Sequence, residues 1–176
     1  MCTRLSSSHL QSVVSMANKS YGLDDHEIFQ AFAAAARPGK DDITTRRCEE
    51  CDSIGDSFCE HDSATLPDVV LTKFFDILPL LSDRAWRYYL PAYIRFALRN
   101  ADSDLAELLI INLDSAADIA DVSFRSASHI LSPKECELVG RFLELYTSWW
   151  DKDADEVTRR QTVAKKYRSL AQDQAE

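Results

Sequence analysis

Between residues 82 and 97 apolar side chains recur at helical spacing. Trp86, Tyr89, Leu90, Tyr93, Ile94 and Ala97 fall at i, i+3, i+4, i+7, i+8 and i+11, behind Ser82, a residue suited to capping. Pro91 lies inside this stripe, lacks a backbone donor and predicts a kink. A second stripe is wider: Cys136, Val139, Gly140, Leu143, Tyr146 and Trp150 share one face, with Phe142, Leu145 and Trp149 beside them. It follows Ser132-Pro133-Lys134-Glu135, which combines a cap, a proline at the first helical position and an acid at the third. Stripes this broad predict deep burial, and in a small domain they are expected to pack on each other.

The remaining pattern is also helical. Asp24 followed by Glu27 opens a helix carrying Ile28, Phe29 and Phe32, which the alanines from Ala33 to Ala36 extend to Arg37, Pro38 and Gly39. A polar loop from Lys40 to Arg47 precedes a short helix over about 47–60, weakened at Gly55 by roughly 1 kcal/mol relative to alanine. Pro67 suits the first turn of a helix with Val70, Leu71, Phe74 and Phe75, closed by Pro79. Ser103 starts another through Leu105, Leu108, Leu109 and Leu113. Residues 116–130 are ambiguous, and Val122, Ser123 and Phe124 fit an extended segment as well. A last, weakly amphipathic helix over about 155–171 carries Val157, Ala164, Tyr167 and Ala171. The expectation is an all-α, single compact domain of six or seven helices. Residues 1–23 form an N-terminal segment, partly ordered, 24–150 the helical core, and 151–176 a basic helix packed on the core or extending from it.

Composition agrees. The chain has 176 residues, enough to bury a core without a staple, and 45% hydrophobic against 28% charged residues is ordinary globular usage. Only 4 Gly and 5 Pro argue against a turn-rich β-sandwich. No apolar run approaches the roughly 20 residues of a membrane span, and the N-terminal stretch lacks the apolar core of a signal peptide. Five cysteines, with Cys2 and Cys136 apart from Cys48, Cys51 and Cys59, do not make a secreted disulfide framework. A cytoplasmic, bacterial protein is expected.

Charge narrows the choice of partner. Lys and Arg number 20 against 29 Asp and Glu, a net charge of −9, which repels phosphate backbones and favours a basic protein partner. The charges are also segregated. Asp102, Asp104, Glu107, Asp114, Asp118 and Asp121 occupy a stretch without Lys or Arg, whereas Arg159, Arg160, Lys165, Lys166 and Arg168 occupy one without acids. The acidic stretch is the candidate partner-binding surface, unless the two neutralise each other.

Candidate chemistry is sparse. Cys48 and Cys51 form a C-x-x-C pair, which with Cys59 and His61 gives the ligand types zinc prefers. In one unbroken helix, however, Cys59 lies about 12 Å along the axis from Cys51 at 1.5 Å per residue, so a shared metal needs a break near Gly55. A redox pair normally follows a strand, and Glu49 and Glu50 oppose thiolate formation. Plain core or surface thiols are the third alternative. The four histidines are scattered, and no nucleophile elbow, phosphate loop or calcium loop is present. Arg84, Tyr88, Arg95 and Arg99 share a face that would suit an anion, or would pair with nearby carboxylates.

Three segments carry a resemblance: Arg47-Cys48-Glu49-Glu50-Cys51-Asp52, Arg87-Tyr88-Tyr89-Leu90-Pro91-Ala92-Tyr93, and Leu131-Ser132-Pro133-Lys134-Glu135. Through them, over about residues 25–150, the chain resembles a family of small uncharacterised bacterial proteins, which implies no activity and no functional residue. The basic C-terminal helix lies outside that resemblance.

The expected function is therefore a non-catalytic protein-binding module, an immunity protein or antitoxin that occludes a basic toxin domain. The alternative is a zinc-stabilised helical adaptor centred on Cys48 and Cys51. An enzyme assembled from scattered residues is a third class.

Overall fold

The computed structural model describes residues 22–117, 126–149 and 153–174. Within them lie eight α-helices: α1 (Asp25–Ala31), α2 (Glu49–Cys59), α3 (Asp68–Lys73), α4 (Asp83–Arg99), α5 (Asp104–Ala117), α6 (Ala127–Ile130), α7 (Pro133–Trp149) and α8 (Ala154–Asp173). Short 3-10 turns occupy Lys40–Asp42, Ser63–Thr65 and Leu78–Leu80. No strand occurs among the described residues; Thr44 and Leu81 make an isolated antiparallel bridge. The all-α expectation holds. The additional helix is α6, in the stretch whose pattern is ambiguous. Val122, Ser123 and Phe124, Trp150 and the N-terminal segment up to residue 21 lie outside the described residues.

Several helix starts follow directly from sequence. Asp24 accepts the Glu27 amide on Oδ1 at 2.7 Å, and Ser82 accepts the Ala85 amide on Oγ at 3.1 Å. At α7 the Ser132 amide donates to Glu135 Oε2 at 2.7 Å, and Glu135 N–H points to Ser132 Oγ at 3.4 Å, the reciprocal pairing of a capping box. At α1 the box is half made, because Glu27 instead pairs with Arg141 of α7.

Local propensity fails at two ends. The alanine run does not extend α1, which stops at Ala31 with Phe32 as its C-cap. Tertiary bonds fix the chain that follows: Arg84 donates to the carbonyls of Ala36 and Arg37, and the Arg37 guanidinium reaches Asp62 and the Cys59 carbonyl. Likewise α3 ends at Lys73, with Pro67 as its N-cap rather than its first helical residue. Val69 and Phe75 are exposed, while Leu71 and Phe74 are buried.

The α4 stripe is buried along its length, from Trp86 to Ala97, and the helix runs continuously through Pro91. Burying each such large side chain contributes about 1.5–3 kcal/mol. Leu143 and Tyr146 of α7 are 1% exposed. The two stripes do not chiefly face each other: α7 lies principally along α8, while α4 meets α5. Gly140 lets α7 and α8 approach, since a Cβ there would stand 2.9 Å from Arg168 Cδ and 3.3 Å from the Ala164 carbonyl oxygen. Between α4 and α7 the link is polar: Arg87 Nε reaches both oxygens of the fully buried Glu135, at 2.9 and 3.0 Å.

Tyrosines fasten the core to neighbouring backbone. Tyr89 donates to the Phe58 carbonyl at 2.8 Å, Tyr146 to that of Ala101 at 2.7 Å and Tyr167 to that of Leu113 at 3.0 Å. No helix among the described residues is long and apolar enough to cross a membrane.

Candidate functional site

The acidic stretch on α5 and the basic helix α8 come together. Arg160 is 2% exposed, packs over the Tyr146 ring at 5.4 Å, and pairs with Glu107 at 3.1 Å and Glu156 at 2.8 Å. Arg159 reaches Asp114 at 3.7 Å. Burial pushes the Tyr146 hydroxyl up to about 12, so it stays protonated beside these charges. Part of the acidic stretch is thus neutralised from within, and Glu107 and Asp114 do not form a free negative surface. Asp102 and Asp104 are exposed at the start of α5, where Ser103 caps the helix. Asp118 and Asp121 lie outside the described residues.

Between α5 and the start of α8 runs an open groove of about 710 Å³. Its rim carries the carboxylates of Glu107, Asp114, Asp153 and Glu156 against the guanidiniums of Arg159 and Arg160. Ile111, 45% exposed, lines the same groove. Sequence reasoning missed it, because on α5 an apolar residue at this position reads as one more member of a wide stripe. Its signal was the company it keeps: Glu107, Asp114 and Ser115, one turn to either side, are polar.

The cysteines divide between the two ends of α2. Cys48 is its exposed N-cap, Cys51 is 2% exposed in the first turn, and their sulfurs stand at disulfide distance. Cys59 is the last residue of the same helix, which is unbroken at Gly55, and its thiol donates to the Asp56 carbonyl. The break that a shared metal requires is therefore missing, and Cys48, Cys51, Cys59 and His61 do not converge. Among the described residues no group of three or more His, Cys, Asp or Glu side chains is placed to hold a metal ion. Cys136 is buried, and burial pushes its thiol up to about 12, which makes it unreactive.

The arginine face of α4 is occupied by the protein itself. Arg95 donates to the carbonyls of Ala64 and Leu66 at 2.6 and 2.8 Å, Arg99 pairs with Asp25, and Tyr88 donates to Asp62 at 3.2 Å. These groups fasten α4 to the α1 and Ser63–Thr65 segments.

No curated protein and no solved structure matches the chain. The sequence profile of DUF6714, a family of unknown function, matches residues 26–172. That span runs past residue 150 and takes in nearly all of α8, so the basic helix is part of the family's domain rather than an addition to it. The chain belongs to the DUF6714 family of unknown function.

Proposed function

We propose that this chain is a non-catalytic protein-binding module that occludes a basic site on a protein partner, as an immunity protein or antitoxin does with a toxin domain. The contact surface is the groove between α5 and α8. The observation that carries this reading is Ile111, an aliphatic side chain 45% exposed beside a rim of charged residues. Interfaces gain most of their affinity from a few apolar or aromatic anchors, while a polar rim excludes water and selects the partner.

Charge supports a basic partner. The groove has more carboxylates than guanidiniums, Asp102 and Asp104 add exposed charge at the start of α5, and the whole chain carries −9. Because Arg159 and Arg160 offset Glu107 and Asp114, the local field is weaker than the bare sequence implies. The apolar anchor then contributes affinity, and net charge contributes association rate. The same charge disfavours nucleic acid.

The test is growth rescue. The chain is coexpressed with the product of the neighbouring gene, first tested for toxicity on its own, as wild type and as Ile111→Lys, which replaces the apolar anchor with a charge. Rescue by the wild type and its loss in the variant support the reading. A wild-type protein that neither rescues growth nor forms a complex with that product opposes it.

A further inference from the structure

Cys48 and Cys51 are not absorbed by that reading. They enclose only Glu49 and Glu50, and so small a loop constrains the unfolded chain least of all, in a protein large enough to be stable without staples. A structural staple is thus a poor account of the pair. Their exposures differ sharply: Cys48 is exposed where the chain enters α2, whereas Cys51 is 2% exposed beneath it. The Cys51 amide also donates to Cys48 Sγ at 3.1 Å, which holds that sulfur over the first turn. Cys48 is thus the accessible residue of the pair and Cys51 the shielded one.

We infer that Cys48 and Cys51 form a reversible thiol–disulfide exchange site, opened by an external dithiol that attacks Cys48. The incoming thiolate bonds to Cys48 Sγ, the Cys48–Cys51 bond breaks, and its electron pair goes to Cys51 Sγ, which takes a proton from water. The second thiol of the reductant then attacks the mixed disulfide. It leaves as a cyclic disulfide, and Cys48 takes up a proton. Two electrons and two protons have passed from the dithiol to the pair.

The surroundings decide which reductants work. Glu49, Glu50 and Asp52 are exposed in the first turn of α2. Their carboxylates oppose a thiolate on either cysteine, against the pull of the helix N-terminus and of the Cys51 amide on Cys48 Sγ. They also repel anionic thiols. A neutral dithiol, or a protein dithiol with a basic rim, approaches more easily than glutathione.

The experiment maps thiols in the full chain by alkylation and peptide mass spectrometry. Protein purified without reductant should resist alkylation at Cys48 and Cys51, react at both after dithiothreitol, and close again in excess glutathione disulfide. Cys51→Ser should capture glutathione at Cys48, while Cys48→Ser should capture none at Cys51. In low salt, Glu49→Gln with Glu50→Gln should speed reduction by glutathione roughly threefold and reduction by dithiothreitol less, because both attack as thiolates but the glutathione thiolate carries the larger negative charge. The inference is overturned if both wild-type cysteines alkylate before reduction and stay thiols in excess glutathione disulfide. Because that reading uses the wild-type chain, it stands whether or not the serine variants fold.

Discussion

Arg160 of α8 meets Glu107 of α5 at 3.1 Å, with the arginine side chain 2% exposed and the glutamate 41% exposed. A basic helix and an acidic one, more than 50 residues apart in sequence, therefore close on each other instead of presenting two opposite surfaces.

Removing the arginine leaves its partners to water. Arg160→Ala takes away the charge that Glu107 and Glu156 share and the packing over Tyr146, and is expected to cost about 2 kcal/mol, chiefly as lost packing. Glu107→Gln should cost about 1 kcal/mol at most, because that carboxylate is partly solvated. Urea denaturation of both variants checks the ratio; equal costs would mean that the pair is not centred on the arginine.

A second polar link should behave more severely. Glu135 is fully buried and Arg87 is its ion-pair partner, so Arg87→Met is expected to cost about 3–5 kcal/mol by leaving a buried carboxylate with the Ser132 amide but no opposite charge. Replacing both partners with apolar residues should recover part of that loss. If Arg87→Met alone costs under 1 kcal/mol, the pair is not what joins α4 to α7.

These two links also mark how far the sequence could be read. The α4 stripe, the α7 stripe from Cys136 to Tyr146, the Ser82 cap and the Ser132–Glu135 box are local patterns, and each appears in the structure. What local pattern missed was tertiary. Arg84 holds the carbonyls of Ala36 and Arg37, fixing the chain at the end of the alanine run, and α8 rather than α4 is the main cover of α7. In the candidate site the acids were visible as a run, but their arginine partners lie far along the chain.

Packing tests follow from the same geometry. Leu143→Ala, a large-to-small change at a site 1% exposed, should cost roughly 2–5 kcal/mol. Gly140→Leu should cost about 2–3 kcal/mol, since its side chain would push Arg168 aside and force α7 from α8. Thermal melts followed by circular dichroism give both values. A neutral Gly140→Leu would show that the two helices are not in close contact.

Alkali should unfold the protein through its tyrosines. Tyr89, Tyr93, Tyr146 and Tyr167 are all held above the usual phenol value by burial, Tyr146 at about 12. In the unfolded chain they ionise near pH 10, where the folded protein keeps its protons, so stability is full below that pH and falls as pH rises towards 12. Ultraviolet titration should show buried phenolates appearing together with loss of helix. Ionisation near pH 10 with helix intact would mean that these rings are open to water.

The most direct test of the proposed function is the dissociation constant of the complex with the neighbouring gene's product, measured across a salt series for wild type and Ile111→Lys. The account predicts that wild-type binding weakens as salt screens exposed charge beyond roughly 8 Å at physiological ionic strength. It also predicts that Ile111→Lys binds at least about tenfold more weakly while keeping its helical content, as loss of an interface anchor does. An Ile111→Lys protein that binds as tightly as wild type, with an affinity indifferent to salt, would contradict it.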